Sequence, residues 1–261
     1  MKIVELFAGG RSFSKVAEAN GHTTFDTDID DLDGIDLAID IMQFEPNMVP
    51  FIPDVVWASP PCETFSVASI GRHWTKGYDF LPKTQRGQVG VMIFERMLEL
   101  IKRFQALNPN LIWYVENPRG KMRKAPHWYF INDCIRHTVT YCQYGDDRMK
   151  PTDIWCNNPL WTPKPSCKNG DPCHTPAPRG SQTGTQGGGS YLQKSAIPPE
   201  LCKEILDSTQ QRFNQPNFPM TKTDIINELD RIRKTKGWVS KKGQVLAELQ
   251  DKLNKLNAEE K

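Results

Sequence analysis

The chain has 261 residues, of which 38% are hydrophobic and 25% charged, and this composition suits a soluble domain with a buried core. No run approaches the roughly 18 apolar residues of a membrane helix, and residues 1–6 are strand-like rather than a signal peptide, so we expect no membrane association. Seven cysteines, an odd number, argue against a disulfide framework and favour a reducing, cytoplasmic location.

The net charge of +2 conceals an asymmetry along the chain. Residues 1–62 carry 3 basic and 11 acidic residues, whereas residues 117–190 carry 10 basic and 5 acidic residues. A polyanion, if one binds, would therefore meet the later segments. A basic surface that is merely solvated explains the same pattern equally well.

Strand-like and helix-like stretches alternate over the first 120 residues, which is typical of an α/β domain with a largely parallel sheet. Functional residues in such folds collect at the carboxyl ends of the strands. The pattern predicts strands at residues 3–7, 23–27, 54–58 and 111–115, a helix over residues 12–19, and a second helix through residues 91–104.

Composition divides the chain into four predicted segments. The glycines, Arg, Gln and Thr of the second segment fit either a flexible linker or contacts with phosphates and base edges, and we favour the contacts. A leucine stripe in the last segment favours intramolecular packing over a dimer seam, so we expect a monomer. The segments are a main domain over residues 1–155, a small loop-rich insert over 156–190, a return helix over 191–215 and a C-terminal helical hairpin over 216–261.

Three early strand ends carry groups suited to a nucleoside ligand. The glycine turn at Gly9 lets a ligand approach bare backbone N–H groups at the start of a helix. Asp28 and Asp30 follow the second strand, where a carboxylate accepts hydrogen bonds from ribose hydroxyls. Asp40 ends a further short strand, although a solvated turn carboxylate is the simpler interpretation there.

The sharpest feature is the sequence Ser-Pro-Pro-Cys at residues 59–62. The two prolines place Cys62 just beyond a buried strand, in a rigid turn that opens a polar loop running to about residue 90, and such a loop can act as a lid. Glu116 ends another apolar strand, where burial raises the pKa of a carboxyl group toward that of a general acid. The sequence therefore offers a candidate nucleophile and a candidate acid.

In this order the motifs resemble those of the cytosine-5 DNA methyltransferases, in particular compact phage-encoded members, over about residues 3–206. The resemblance implies a Rossmann-like, S-adenosylmethionine-dependent methyltransferase domain of the α/β class, in which residues 156–190 recognise the target. It implies an enzyme of the cytoplasm, in a bacterium or a phage-infected host cell, that methylates carbon 5 of a flipped-out cytosine in double-stranded DNA. A restriction-modification role belongs to the same expectation.

The resemblance also implies a role for each motif residue. Cys62 is the nucleophile, Glu116 holds the edge of the cytosine, and Lys150 brings positive charge where the family has an arginine. Thr152 stands in the place of a second arginine. The residues implied to bind the cofactor are Phe7, Ala8 and Gly9 of the first motif, Asp28 at the ribose, Asp40 at the adenine, Pro61 beside the nucleophile, and Ser195 of the tenth motif.

Two other functions remain open at this point. The Ser-Pro-Pro sequence also resembles a motif of methyltransferases that act on exocyclic amines (N4 of cytosine or N6 of adenine), but those enzymes place an aromatic residue where this chain has Cys62. A non-catalytic DNA-binding protein that kept the fold is the second alternative. RNA in place of DNA as the substrate is open as well.

Three cysteines and a histidine in or near the insert are candidate ligands for a metal ion. Cys156, Cys167, Cys173 and His174 offer four ligands that could hold a structural zinc ion in a segment too small for its own core. Their spacing lacks a C-x-x-C pair, so we favour unligated thiols and predict no metal.

Overall fold

The computed structural model describes residues 1–131, 133–176 and 190–214, together with seven positions further on: 229, 246, 247, 250, 251, 253 and 254. The chain divides into two compact units, Met1–Gln211 and Arg212–Lys261, and the sheet and cavity described below belong to the first. Most of the glycine-rich stretch and of the predicted hairpin lies outside the described residues, so the predicted segment boundaries stay predictions. None of the helices in the described part of the chain is long and apolar enough to span a membrane.

Seven strands of the first unit form one mixed sheet in the order β3-β2-β1-β4-β5-β7-β6. The first five in this order are parallel, and β7 lies antiparallel between β5 and β6. The strand order reverses between β1 and β4, which opens a crevice at the carboxyl ends of these strands. The strands are β1 (Lys2–Leu6), β2 (Thr23–Asp28), β3 (Leu37–Ala38), β4 (Val55–Ala58), β5 (Ile112–Pro118), β6 (Ile135–Thr140) and β7 (Pro151–Cys156).

Five α-helices and four short 3-10 turns complete the described part of this unit. The helices are α1 (Ser12–Ala19), α2 (Ile70–His73), α3 (Gln85–Leu107), α4 (Tyr191–Ser195) and α5 (Pro199–Phe213). The 3-10 turns are Pro46–Met48, Lys121–Lys124, Pro126–Phe130 and Tyr141–Tyr144. The predicted α/β class is confirmed, and α1 has the bounds that the sequence predicts.

One strand differs from its prediction in a way that affects the cavity. The strand predicted to end at residue 115 continues through Pro118, because β7 pairs with it in an antiparallel ladder in which Glu116 lies opposite Ile154. Glu116 and Asn117 are therefore residues of a central strand rather than of the loop after it. The partner strand is distant in sequence, so local periodicity could not reveal it.

The two faces of the sheet are covered by different helices. Helix α3 packs on one face, where its Phe94, Met97 and Ile101 join Val56 and Trp113 in the main apolar cluster. Helices α1 and α5 cover the other face. There, Phe13 of α1 stacks on Trp57 with ring centroids 4.5 Å apart, and Thr209 of α5 lies 2.8 Å from the Tyr114 hydroxyl.

A carboxyl group, Glu5, is buried on the α1 side of β1, with 1% of its surface exposed. It accepts hydrogen bonds from the backbone N–H groups of Ser14 at 2.8 Å and Phe13 at 3.4 Å, which belong to the first turn of α1. Burial, reinforced by the charge of Asp26, raises the pKa of Glu5 to about 7. Glu5 therefore takes up a proton on folding at pH values between its ordinary pKa and 7.

We expect Glu5→Gln to flatten the dependence of stability on pH. Because the folded-state pKa is raised, the contribution of Glu5 is fully present below its unfolded pKa of 4.5 and is lost as the pH rises through about 7. In the wild type this loss amounts to about 3 kcal/mol in the free energy of unfolding. Denaturant unfolding on both sides of this window measures it, and an equally steep pH dependence in the variant would contradict the assignment.

Candidate active site

One cavity of about 400 Å³ lies at the carboxyl ends of β1 to β5, beneath α4. All ten site residues predicted from the sequence line it, although they come from distant parts of the chain. They are Phe7, Ala8, Gly9, Asp28, Asp40, Pro61, Cys62, Glu116, Lys150 and Ser195. The fold therefore brings the predicted residues together, while the role of each one stays a prediction.

The turn after β1 has an unusual backbone that directs its amide groups. Phe7 and Gly9 have φ angles of 58° and 49°, in the left-handed region that favours glycine. The N–H of Gly9 donates to Asp28 Oδ2 at 2.8 Å, and the N–H of Asp30 donates to Asp28 Oδ1 at 3.1 Å. The Asp28 carboxylate is thereby fixed at the edge of the cavity.

Arg11 adopts the same left-handed conformation, with φ at 57°. Its guanidinium does not line the cavity but forms ion pairs with Glu18 and the buried Asp26. These ion pairs offset the backbone strain that a side chain incurs at this position. Arg11 therefore stabilises the turn from outside the cavity.

The loop that carries Cys62 is held by hydrogen bonds on both sides of the cysteine. Asn117 Nδ2 donates to the carbonyl of Pro60 at 2.9 Å, and the N–H groups of Phe65 and Ser66 donate to the carbonyl of Cys62 at 3.1 and 2.9 Å. Asn117 is completely buried, so this clamp ties the end of β5 to the cysteine loop. The two residues thus have different roles: Asn117 holds the cysteine loop, and Glu116 faces the cavity.

The first part of the predicted lid, after Cys62, is packed against the domain. Phe65 and Trp74 are buried, and Trp74 Nε1 donates to the carbonyl of Thr64 at 2.6 Å. Ser66 also bridges to Gly120, where a β-carbon would lie 2.1 Å from the Phe65 carbonyl oxygen. This contact requires a glycine, because any side chain would push the cysteine loop away from β5.

Solvent reaches the Cys62 thiol through the cavity, while protein atoms surround its other sides. This partial burial raises the pKa of the thiol, and the charge of Glu116 raises it further. The ammonium of Lys150 acts in the opposite direction. Since the pKa of an ordinary thiol already lies above neutral, the Cys62 thiol is mostly protonated at neutral pH and requires a base or a nearby cation to react.

Glu116 is buried, with 5% exposed, and faces the same cavity. The Tyr141 hydroxyl donates to its Oε1 at 2.9 Å. Burial raises the pKa of Glu116, whereas Lys150 and the Tyr141 hydrogen bond lower it. The Glu116 carboxyl group is therefore easier to protonate than an exposed glutamate, which suits a general acid.

Lys150 connects the cavity to α4. Its ammonium donates to the carbonyl of Lys194 at 3.0 Å and lies 4.6 Å from the centre of the Tyr141 ring. Arg148, paired with Asp146, donates to the same carbonyl at 3.2 Å. Burial lowers the pKa of Lys150, and the charge of Glu116 counters this effect.

The structure separates Thr152 from the site and adds two tyrosines. Thr152 is completely buried in β7, where its hydroxyl donates to the carbonyl of Lys150, so it cannot replace the second arginine of the family. Tyr141 supports Glu116, and Tyr191 of α4 lines the cavity with 73% of its surface exposed. Sequence reasoning missed both tyrosines, and only their proximity along the chain to Lys150 and to Ser195 could have pointed to them.

The ligand set considered for zinc is wrong in one member. Cys167, Cys173 and His174 do lie together, but the fourth residue of their cluster is Cys142 rather than Cys156. Cys156 is completely buried at the end of β7, with its Sγ 3.7 Å from the carbonyl of Asn158. Strand pairing with β5 and β6 holds it in the sheet and away from the other thiols.

The chain is similar to a protein of Frog virus 3 named "Probable DNA (cytosine-5)-methyltransferase", with 28% identity over 79% of this chain and 99% of the relative. No protein-family model matches the chain. The resemblance drawn from the motifs is thus confirmed by a curated relative that carries the same designation.

Parts of several solved methyltransferase structures also align with this chain. The Entamoeba histolytica methyltransferase EhMeth aligns with a TM-score of 0.42 and 12% identity over 64% of this chain, and a DNMT2 of Spodoptera frugiperda with 0.39 and 15% over 67%. The aligned region spans 57% of each of those chains. A Dnmt2 methyltransferase of S. pombe aligns with a TM-score of 0.41 and 12% identity over 60% of this chain and 48% of its own.

We expect Lys150→Gln to slow the alkylation of Cys62 by iodoacetamide at neutral pH by about threefold to tenfold, because the variant loses the cation that favours the thiolate. Peptide mass spectrometry reads out Cys62 alone. Lys164→Gln is the matched control, since Lys164 pairs with Glu200 and does not line the cavity. Equal rates in both folded variants would contradict the electrostatic coupling.

Proposed function

We propose that this chain is an S-adenosylmethionine-dependent DNA (cytosine-5)-methyltransferase that uses Cys62 as its nucleophile. The observation that carries the proposal is the convergence of Cys62, Glu116 and Lys150 in one cavity whose other walls carry Gly9 and Asp28. A thiol, a buried carboxyl group and a cation are the groups that activation of a cytosine ring requires. The designation of the viral relative supports the same reaction.

The cofactor half of the cavity has the chemistry of a nucleoside site. Asp28 can accept hydrogen bonds from ribose hydroxyls, and Asp40 lies further along the same wall, where an amino group of adenine needs an acceptor. Ile29, Ile41 and Ile93 add apolar surface for a base. When bound there, S-adenosylmethionine supplies an electrophilic methyl group. Phe7, Ala8, Pro61 and Ser195 line the space that it would fill.

The reaction begins with a covalent bond from Cys62 to the base. The thiolate adds its electron pair to carbon 6 of cytosine, and the electrons of the 5,6 double bond move to carbon 5, which becomes nucleophilic and accepts a methyl group. A base then removes the proton from carbon 5, the double bond re-forms, and the carbon–sulfur bond breaks to release the Cys62 thiolate. Lys150 favours the thiolate at both ends of this sequence.

Glu116 holds the base during this step. Its carboxyl accepts a hydrogen bond from the 4-amino group and, when protonated, donates one to ring nitrogen 3, which disperses the negative charge of the adduct. The Tyr141 hydroxyl occupies one acceptor position of Oε1, and the carboxyl group lines the cavity in which the base would bind. The raised pKa of Glu116 supports its use as a proton donor.

The proposed substrate is double-stranded DNA from which one cytosine is flipped. Cys62 must approach carbon 6 from the face of the ring, and that face is inaccessible in a stacked duplex. The basic stretch 117–190 provides charge for phosphates. We further propose a monomeric enzyme of the cytoplasm; its phage origin and a restriction-modification role remain predictions from the motifs.

We expect the purified protein to transfer labelled methyl groups to duplex DNA and to form 5-methyldeoxycytidine, detected by nucleoside mass spectrometry. Cys62→Ser should lower this activity by about 1,000-fold or more, since the hydroxyl is a far weaker nucleophile. Cys134→Ser, a change outside the cavity, is the control and should keep the activity. Methylation of an exocyclic amine, or normal activity of Cys62→Ser, would overturn the proposal.

A duplex that contains 5-fluorocytosine should trap the adduct. Fluorine at carbon 5 cannot leave as a proton, so the elimination step stops after methyl transfer and the protein stays bonded to DNA. We expect a denaturation-resistant complex that requires the cofactor and is absent in Cys62→Ser. An enzyme that acts on an exocyclic amine forms no such complex. Binding of DNA without any adduct or methylated product would favour the non-catalytic alternative.

A further inference from the structure

We infer that Cys142, Cys167, Cys173 and His174 form a structural zinc site that fastens the loop after β7 to the 3-10 turn Tyr141–Tyr144. The cluster lies outside the cavity and takes no part in the proposed reaction. It joins two segments of the same compact unit, the 3-10 turn Tyr141–Tyr144 and the irregular stretch 157–176. The inference therefore goes beyond the proposed function and does not depend on it.

The ligand atoms have the spacing of a tetrahedral metal site. Zinc–sulfur and zinc–nitrogen bonds of about 2.3 and 2.0 Å place sulfurs about 3.8 Å apart and a sulfur and a nitrogen about 3.5 Å apart. Cys142 Sγ lies 3.2 Å from Cys167 Sγ and 3.5 Å from Cys173 Sγ. His174 Nδ1 lies 3.7 Å from Cys167 Sγ and 3.5 Å from Cys173 Sγ. All four ligand atoms lie within 4.8 Å of one another.

The donor set selects zinc among common metals. Three thiolates and one neutral imidazole match a closed structural Cys₃His site, and soft thiolate donors disfavour magnesium or calcium. Binding releases the three thiol protons to solvent, so the metal and its ligands together carry a net negative charge. Gln143 Nε2 lies 3.4 Å from Cys173 Sγ and donates a hydrogen bond to it. Such N–H to sulfur contacts are typical outer-shell support for a metal thiolate.

The loop needs such a fastening because it has almost no core of its own. Between residues 162 and 176, His174 is the one buried residue. His174 Nε2 is also buried and has no hydrogen-bond partner among the described residues, so the ring is not held through that nitrogen. Nδ1, the other ring nitrogen, faces the sulfurs of Cys167 and Cys173, and a metal ion bound there would hold the buried ring.

A disulfide explains the cluster less well. The two closest sulfur pairs lie 3.2 and 3.5 Å apart, well beyond the bond length of about 2.05 Å. A disulfide bond between two of the cysteines would not explain why the third thiol and the His174 imidazole lie beside them. A single metal ion uses all four groups at once.

The consequence reaches the active site through one residue. Cys142 follows Tyr141 directly, and the Tyr141 hydroxyl donates to Glu116. The loop also donates from the N–H of Cys167 to the Thr140 hydroxyl and from the N–H of Thr175 to the carbonyl of Asp147, each at 3.0 Å. The metal would thus hold the turn whose Tyr141 hydroxyl donates to Glu116.

We expect the full chain, purified without chelators, to contain about one zinc ion per molecule by elemental mass spectrometry. Cys167→Ala and His174→Ala should lose it. Cys156→Ala, which removes the buried thiol outside the cluster, should keep it. Zinc retained at the same stoichiometry in Cys167→Ala would overturn the inference, as would a folded wild-type protein that contains no zinc and acquires none when it is added.

A second measurement covers the case in which the variants do not fold. Exchange of the wild-type metal for Co²⁺ should produce the thiolate-to-cobalt charge-transfer band and the intense visible bands of a tetrahedral thiolate site. A weak spectrum typical of octahedral cobalt would overturn the inference. So would a peptide map of the non-reduced protein that shows Cys142 bonded to Cys167. Neither readout depends on methyl transfer, so the inference and the proposed function fail separately.

Discussion

Burying a carboxyl group at the end of a central strand has a free-energy cost that other groups must compensate. At Glu116 this requirement organises the structure around the cavity. Burial disfavours its charged form, while the Tyr141 hydroxyl and the ammonium of Lys150 stabilise it. Both partners come from the segment between β6 and β7, outside the parallel part of the sheet. Because β7 inserts antiparallel beside β5, these partners reach Glu116, and an ionisable group can function at this buried position.

The same segment closes the cavity from above. Lys150 and Arg148 donate to backbone carbonyls at the end of α4. Lys150, the cation that faces the carboxyl group, therefore also holds the short helix that carries Ser195 and Tyr191. The ammonium of Lys150, the carboxyl group of Glu116 and helix α4 therefore form one connected network. A change at Lys150 would consequently disturb the thiol, the carboxyl group and the closure of the cavity together.

Cys62 is held in place before it is activated. The prolines, the Asn117 clamp and the packed stretch around Phe65 fix its backbone, but burial and Glu116 keep its thiol pKa above the ordinary value. A resting thiol of this kind is protected from unproductive oxidation and alkylation. In the proposed reaction, the thiolate forms when the cytosine base and the groups that hydrogen-bond to it change the electrostatics of the cavity.

Local sequence determined the parts of this protein that depend on neighbours along the chain. The apolar runs predicted the parallel strands, and the glycine turn before residues 12–19 and the Asn-Gly pair after them predicted α1. The order of Gly9, Asp28, Cys62 and Glu116 predicted a shared site, because the carboxyl ends of parallel strands meet at one edge.

Tertiary structure alone decided the contacts between distant segments. The pairing of β5 with β7 extended the strand through Glu116, buried Thr152 and withdrew Cys156 from the other thiols. The placement of Tyr141 beneath Glu116, and of Cys142 beside Cys167, follows from the same strand arrangement. These pairings join residues whose local patterns are indistinguishable from ordinary core sequence. The free energy that favours these pairings comes from burial and hydrogen bonding across the sheet. The spacing of residues along the chain reveals neither of these.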